Sequence, residues 1–164
     1  MTKEIQLSQG KVALVDADDY DNLCKYKWHA VKSPKRKNYW RACRVENYKT
    51  ISMHSEILQV PDDKFIDHIN HNPLDNRKAN LRECTITQNN WNTRPYGKTS
   101  NYKGVYWHTR NKRWRATVWK DGRQIFLGNF VDEHDAARAY NKAVLELRDK
   151  EFTYLNDVPP KEGE

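Results

Sequence analysis

The first part of the chain alternates short apolar runs with polar loops, as β-strands do. Strands are predicted over residues 11–15, 26–31 and 39–45. The polar stretch 32–38 separates the second strand from the third and suits a hairpin tip. Its four positive charges fit either a phosphate contact or a solvated turn. These patterns predict a β-rich segment over residues 1–52.

The central part, residues 53–94, contains only short apolar elements around a loop that is rich in asparagine. Ile57 and Leu58 form one such element, and a short polar helix is predicted to start near Thr87. Residues 95–101 follow as the predicted linker, because they are rich in turn formers and have no aliphatic side chain.

Residues 102–156 return to the alternating pattern and then change to a helical one. Strands are predicted over 104–107, 113–119 and 123–127, and Asp121-Gly122 is typical of a tight hairpin. Asp132 would then cap a helix that runs to Asp149, with apolar residues three and four positions apart. These residues are Ala136, Ala139, Tyr140, Ala143, Val144 and Leu147.

The chain as a whole is therefore predicted to be an α+β protein. Its three pieces are the β-rich N-terminal segment, the central piece, and a three-stranded antiparallel sheet packed on one helix. Residues 157–164 would form a tail. Only 37% of the 164 residues are hydrophobic, and the mean hydropathy is -1.06, so one large core is not expected. Six Trp and nine Tyr exclude a disordered chain.

Three cysteines, Cys24, Cys43 and Cys84, are widely spaced. They predict neither a disulfide framework nor a structural zinc site, and we expect them to be small buried side chains in a reducing compartment. No apolar run approaches the roughly 18–20 residues that a membrane span needs. The first residues do not resemble a signal peptide. We therefore expect an intracellular protein, in the host cytoplasm if a phage encodes it.

Positive charge is concentrated in two stretches of the chain. Lys and Arg outnumber Asp and Glu by 29 to 22, which gives a net charge of +7. Residues 25–49 hold nine basic residues against one acidic residue, and residues 102–125 hold seven against one. Such clustering favours a nucleic-acid partner over a membrane, although net charge alone also fits a merely soluble basic protein.

The residues that could carry chemistry centre on the dipeptide Asp67-His68, at the predicted end of an apolar strand. Asn80 lies twelve residues beyond His68, and Asn89 lies 22 beyond Asp67. Hydrolysis of a phosphodiester needs a base for the water and a cation for the leaving 3′ oxygen. A hard cation such as Mg²⁺ prefers carboxylate and amide oxygens and keeps several waters.

The run 66–82, with Asp-His-Ile-Asn and then Leu-Asp-Asn and Asn-Leu-Arg, resembles the ββα-metal core of HNH endonucleases. The resemblance covers about residues 53–94 and is strongest to the phage and intron-encoded homing branch. It implies that one divalent ion per chain, Mg²⁺ or Mn²⁺, is used to cut DNA. Some members add a zinc site of four cysteines, which this chain cannot build, so its core must be braced by its neighbours.

The resemblance also implies a role for each matching residue. His68 corresponds to the general base and Asn80 to the residue that orients it. Asp67 corresponds to the metal-binding carboxylate and Asn89 to the second ligand, with Asn90 as the alternative one position along.

Four other polar residues match or replace family positions. His54 matches a histidine before the first helix, and a supporting role is favoured over direct catalysis. His71 stands where the family often has glycine, and a phosphate contact is the less favoured of its interpretations. Asp75 and Asn76 match the family, but turn formation explains them equally well.

The third piece resembles the APETALA2-type DNA-binding domain of plant transcription factors, over about residues 99–156. The matching runs are 100–105, 114–116, 126–130 and 135–140, together with Asn156. The resemblance implies that the sheet lies in the major groove of DNA.

The match at the contacting positions is only partial. Tyr106 and His108 replace basic residues, and Gln124 and Phe126 replace an Arg and a Trp, so the plant target sequence is not implied. The predicted DNA contacts are Lys103, Tyr106, Arg110, Arg113, Arg115, Trp119 and Arg123.

The two resemblances together imply an HNH homing endonuclease that acts on double-stranded DNA, with nicking by a monomer favoured over a dimer. One alternative is a non-catalytic, sequence-specific DNA-binding regulator with a relic HNH core. Another is an RNA-binding module, which the many aromatic residues would suit.

Overall fold

The structure is a computed structural model that describes residues 1–34, 38–95 and 99–161. The middle of the predicted hairpin tip, the middle of the predicted linker and the end of the predicted tail lie outside the described residues. Small antiparallel sheets and short helices form the described part, which confirms the prediction of an α+β protein. The chain divides into two compact units, residues 1–90 and 91–164.

The first unit is built mainly from short strands. In chain order its elements are β1 (Thr2–Gln6), β2 (Val12–Asp16), α1 (Ala17–Leu23), β3 (His29–Lys32), β4 (Trp40–Glu46), β5 (Lys49–Ser52), α2 (Met53–Ile57), β6 (Phe65–His68), β7 (Leu81–Cys84) and α3 (Ile86–Trp91). Two pairs form antiparallel hairpins, β1 with β2 and β6 with β7. The other three strands form a sheet in the order β3-β4-β5. The helix α3 extends by its last residue into the second unit.

The predicted second strand proved too long at its start. β3 begins only at His29, because side chains and not a strand ladder hold the preceding residues. The Tyr26 ring lies 4.0 Å from the guanidinium of Arg44, and the Trp28 indole N–H donates to the Leu23 carbonyl over 2.8 Å. The helix α1 was not predicted, since few of its residues are apolar.

The core of the first unit draws on both the N-terminal hairpin and the three-stranded sheet. Its buried members are Ile5, Leu7, Ala13, Val15, Leu23, Trp28, Ala30, Ala42 and Met53. Leu74, from the loop between β6 and β7, packs against this cluster. The loop that carries the candidate chemistry is therefore tied to the core by an apolar side chain.

The second unit is a sheet with one helix packed on it. Its elements are β8 (Val105–His108), β9 (Arg113–Lys120), β10 (Arg123–Phe130) and α4 (Glu133–Leu147), with β9 in the middle of the sheet. This arrangement confirms the predicted strands and helix. The backbone of Asp121 and Gly122 has positive φ values of 49° and 74°, as a two-residue hairpin turn requires. The Asp132 carboxylate accepts two backbone N–H groups and so caps α4, as predicted.

Burial confirms most of the core prediction for this unit and corrects one prediction about cysteine. The face of α4 that meets the sheet buries Ala136, Ala137, Tyr140 and Val144. Two of the free cysteines, in β4 and β7, are buried as expected. Cys24 is exposed, and the prediction for it was wrong, because it lies just beyond α1 and its backbone caps the end of that helix.

Gly104 is a point at which the second unit tolerates no side chain. Its φ is +75°, and a Cβ there would collide with the Tyr140 ring and lie 2.6 Å from the Thr117 carbonyl oxygen. We expect Gly104→Ala to cost about 3 kcal/mol or more, because both the overlap and the backbone conformation are unfavourable. Hydrogen exchange of the α4 amides would measure this loss.

Gly122→Ala is the matched control for this substitution. Its φ is +74°, but a Cβ there would meet nothing within 4 Å. We expect it to cost only the backbone strain of about 1–2 kcal/mol. Equal losses for the two variants would contradict the proposed close packing at Gly104.

Candidate active site

The β6–β7 hairpin brings the two central residues of the site to one place. Asp67 pairs with Arg82 across the hairpin, and His68 pairs with Leu81. Asp67 and His68 are each only 7% exposed, at the end of β6. The predicted position of this dipeptide at the end of a strand is confirmed, and the two side chains are far less exposed than those of an ordinary strand end.

The Asp67 carboxylate forms an ion pair with its cross-strand neighbour. Arg82 donates to the same oxygen, Oδ2, from Nε over 3.0 Å and from Nη2 over 2.7 Å. Charge-assisted bonds of this kind fix the orientation of a carboxylate as well as stabilise it. The anion is thus held in place by a residue of the Asn-Leu-Arg run.

The His68 imidazole lies between an amide and a second imidazole. Its Nε2 is 3.4 Å from Asn76 Oδ1, and its ring meets the His54 ring edge-on at a centroid distance of 5.2 Å. Burial lowers the pKa of His68, although Asn76, Asp67 and Asp75 act in the opposite direction. The ring is therefore neutral near pH 7 and can accept a proton, which is what a general base must do.

Asn80 holds the loop between β6 and β7 from within. Its Oδ1 accepts from the Asn70 N–H over 2.9 Å, and its Nδ2 donates to the Asp75 carbonyl over 2.7 Å. Asn80 was predicted to orient His68 from the loop, and that role stays a prediction. The structure shows an amide in contact with the imidazole, but it is that of Asn76, a residue that both the family match and turn formation explain from the sequence.

The Asp75 carboxylate accepts several hydrogen bonds from other residues of this loop. It accepts from Arg77 Nε over 2.7 Å and Nη2 over 2.6 Å, and from Asn70 Nδ2 over 2.7 Å. The Arg77 guanidinium, more than any other group, lowers the pKa of Asp75. The side chain is 2% exposed, so the turn-former interpretation understated how deeply it is buried.

Asn89 and Asn90 lie on α3, directly after the hairpin. Thr85 and Gln88 form a capping box at its start: Gln88 N donates to Thr85 Oγ1, and Thr85 N donates to Gln88 Oε1. This box places the helix start at Ile86, one residue before the predicted one. Asn89 is half-buried and Asn90 is exposed. The choice of Asn89 as the second metal ligand stays a prediction.

His71 adopts the left-handed backbone conformation, with φ at 62°, and its N–H donates to the His68 carbonyl over 2.9 Å. That conformation favours glycine, which is the residue the family often has there. The backbone of residue 71 therefore contributes to the tight turn after His68.

Few charged ligands are available for a metal in this part of the protein. Within the described ranges, no three side chains of His, Cys, Asp or Glu come together as a metal cage. A carboxylate and carboxamide oxygens remain, of which Asp67 and Asn89 are the predicted pair. Such a donor set fits a hard divalent ion that keeps several waters.

In the second unit, the sheet face opposite α4 carries a row of cationic and aromatic side chains. Tyr106 pairs with Arg115, and Arg115 Nε donates to Asn129 Oδ1 over 3.2 Å. Trp119 and Phe126 are 57% and 56% exposed. Because side chains alternate along a strand, residues 113, 115 and 119 of β9 all point to this outer face. The structure places four of the seven predicted DNA contacts here: Tyr106, Arg113, Arg115 and Trp119.

The other three predicted DNA contacts lie elsewhere in this unit. Arg110 is exposed in the turn between β8 and β9, and Arg123 is exposed at the start of β10. Lys103 donates from Nζ to the carbonyls of Trp91 over 2.7 Å and of Thr93 over 2.8 Å. Its ammonium therefore binds the backbone that follows Asn90.

Comparison with known proteins agrees with this geometry. A family model described as HNH endonuclease matches residues 59–91, which contain the hairpin and α3. Protein L560 of Acanthamoeba polyphaga mimivirus, an uncharacterized HNH endonuclease, is 33% identical over 139 residues, which are 85% of this chain and 72% of that protein. The chain belongs to the HNH endonuclease family. Protein 3.8 of Escherichia phage T7 is 35% identical over 83 residues, or 47% of this chain and 69% of that protein.

This HNH protein also contains an AP2-like domain. The AP2-like ethylene-responsive transcription factor TOE2 of Arabidopsis thaliana is 43% identical over 54 residues, which are 33% of this chain and 11% of that protein. APETALA2-like protein 2 of Oryza sativa subsp. indica is 41% identical over 54 residues, or 12% of its length. No solved structure gave a match. Among the described residues, no helix is long and apolar enough to cross a membrane.

The buried imidazole of His54 makes the stability of the first unit depend on pH. Burial, reinforced by His68 and Arg41, lowers the pKa of His54 from 6.5 to about 4. When the pH is lowered, the folded protein therefore binds this proton at a lower pH than the unfolded chain does. We expect the free energy of unfolding to be highest above pH 6.5 and to fall between pH 6.5 and about 4, by about 3 kcal/mol at most.

Urea unfolding at a series of pH values would measure this dependence. His54→Gln should make the slope shallower, while His68, whose pKa is also lowered, keeps part of it. His134→Gln, at a half-buried position of the second unit where the imidazole Nδ1 lies 3.8 Å from Asp132 Oδ1, is the control that should change the slope less than His54→Gln does. If His54→Gln retained the wild-type slope, the buried imidazole would not be its cause.

Proposed function

We propose that this member of the HNH family is a metal-dependent DNA endonuclease of the homing type, with His68 as general base. The observation that carries the proposal is the buried, neutral imidazole beside a carboxylate that Arg82 holds in an ion pair. A base and an acidic ligand on adjacent residues serve the two needs of phosphodiester hydrolysis, which are activation of water and stabilisation of the leaving oxygen.

The proposed reaction gives each protein group one task. His68 accepts a proton from water as the water oxygen bonds to phosphorus and the bond from phosphorus to the 3′ oxygen breaks. Asp67 and Asn89 would hold one Mg²⁺ or Mn²⁺ ion, with Asn90 as the alternative to Asn89. When bound, that ion would stabilise negative charge on the leaving oxygen. His54 would support the base from the side, since the two rings are in contact.

A single centre of this kind cuts one strand at a time. We therefore propose that a monomer nicks double-stranded DNA, and that cutting both strands would need two nicks or a dimer. The outer face of the AP2-like sheet would hold the duplex, because its arginines suit phosphate and guanine and its exposed rings suit sugars and bases.

Supercoiled plasmid tests the catalytic part of this proposal. With Mg²⁺ or Mn²⁺, wild-type protein should produce nicked circles from DNA that carries its site, and His68→Ala should lower the rate by about 10²–10⁴-fold, since the base is lost. His134→Ala is the matched control, because His134 lies on α4 and is not part of the proposed site.

Two outcomes of the plasmid assay would contradict the proposal. Equal rates for wild type and His68→Ala would reject His68 as the base. Tight binding by the wild type without any cleavage would instead favour a DNA-binding regulator with a relic core.

Binding to a random-sequence duplex tests the sheet face. Arg115→Ala should weaken binding by about 5–100-fold and, if Arg115 contacts phosphate, reduce the salt dependence by about one counterion. Lys142→Ala on α4 removes the same charge from outside that face and should change affinity less than the Arg115 variant. Equal effects of the two substitutions would show that only net charge matters and would refute the assigned face.

A further inference from the structure

We propose that Asn76 is the positioning residue for the His68 imidazole, and that strand β2 holds Asn76 in place. The proposal rests on the proposed function, in which His68 is the general base. It makes the N-terminal hairpin a working part of the nuclease site, although no residue of that hairpin carries out chemistry.

The contact between Asn76 and His68 determines where the ring carries its proton. The Asn76 side chain is fully buried, and its Oδ1 faces His68 Nε2 over 3.4 Å. An amide oxygen only accepts, so Nε2 must donate. In the neutral ring the lone pair is then on Nδ1, and Nδ1 is the atom that can take a proton from water.

The Nδ2 end of the Asn76 amide indicates that this residue does not serve to stabilise the fold. Within the part of the chain that the structure describes, Asn76 Nδ2 is buried without a hydrogen-bond partner. A buried polar group that stays unpaired destabilises the folded state. The Nδ2 end of this amide destabilises the fold, while the Oδ1 end contacts the proposed base. Positioning of the base therefore explains why asparagine occupies this position.

The backbone of Asn76 is fixed from outside the loop. Its N–H donates to the Leu14 carbonyl over 2.8 Å, and the Leu14 N–H donates to the Leu74 carbonyl over 2.8 Å. Leu14 and Asp75 thus form a parallel bridge, on a strand whose neighbours Ala13 and Val15 are fully buried. The backbone of β2 therefore fixes the position of the Asn76 amide relative to the His68 imidazole.

A second attachment follows immediately along the loop. Asp16 lies at the N-cap position of α1, but its side chain makes no cap bond there. Its Oδ2 accepts instead from the Lys78 N–H over 2.7 Å, and Lys78 Nζ donates to Asp19 over 2.8 Å. Both ends of the segment that contains Asn76 are thus fastened to the N-terminal hairpin and its helix.

Proton NMR of the metal-free, full-length protein tests the contact without relying on activity. We expect the His68 Nε2–H proton to be protected from exchange with solvent in wild type. Asn76→Ala should abolish this protection, because the acceptor is gone. Asn76→Asp keeps an acceptor of the same shape and should retain it. Wild-type protection in Asn76→Ala would overturn the proposal, whether or not the protein cuts DNA.

Kinetics on cleavable DNA then separates positioning from folding. Asn76→Ala should lower kcat by about 10–100-fold, the effect of a misplaced catalytic group, and leave KM unchanged. Its Tm should fall less than that of Asn156→Ala, because the substitution removes the unpaired Nδ2 as well as the acceptor of the His68 Nε2–H. Asn156→Ala is the matched control, because Asn156 is a buried asparagine of the second unit that bonds the Lys103 backbone. It should lower Tm without a specific loss in kcat. If the two variants lost kcat in proportion to Tm, the role of Asn76 would be structural only and the proposal would fail.

Discussion

The candidate site depends on the hydrogen bonds that the buried carboxylate of Asp75 accepts. The loop between β6 and β7 has twelve residues. Few of its side chains are apolar, so it would be mobile without hydrogen bonds among its own polar groups. Asp75 accepts from Arg77 and Asn70, while its own carbonyl accepts from Asn80. The loop therefore closes around one anion. His68 at one end of it gains a fixed neighbour in place of water.

This arrangement shows how a chain with little apolar content can present a defined site. The core of the first unit is one small apolar cluster, and the loop adds only Leu74 to it. The rest of the loop is ordered by hydrogen bonds and ion pairs between its polar groups. Such buried pairs fix the positions of side chains but add little net stability. The expectation that the site would be braced by its neighbours is met by backbone pairing with β2. The polar composition and the defined site are thus compatible.

Sequence reasoning predicted the parts of this protein that local pattern determines. Alternation identified β4 and β9. The Asp121-Gly122 turn and the Asp132 cap followed from residue type, and the many asparagines identified the loop. It did not predict α1, or the contact of Asn76 with His68. That contact depends on Leu14, 62 residues away in the chain, and no local pattern encodes a pairing of that range. The only local indication of this contact was the Asp75-Asn76 pair in the loop, and the tendency of both residues to form turns explained that pair equally well.

The position of Trp91 has a consequence for how such proteins are assembled in evolution. Trp91 is the last residue of α3, yet its carbonyl accepts from Lys103 and from the Tyr154 N–H, and its ring lies 5.3 Å from the Arg148 guanidinium. The carbonyls at the end of a helix need donors. Within the second unit, Lys103 and Tyr154 supply two such donors to the carbonyl of Trp91. An AP2-like unit that is transferred by recombination would therefore need to begin at or before Trp91, because a boundary within the predicted linker, residues 95–101, would remove the acceptor of both bonds and the ring beside Arg148.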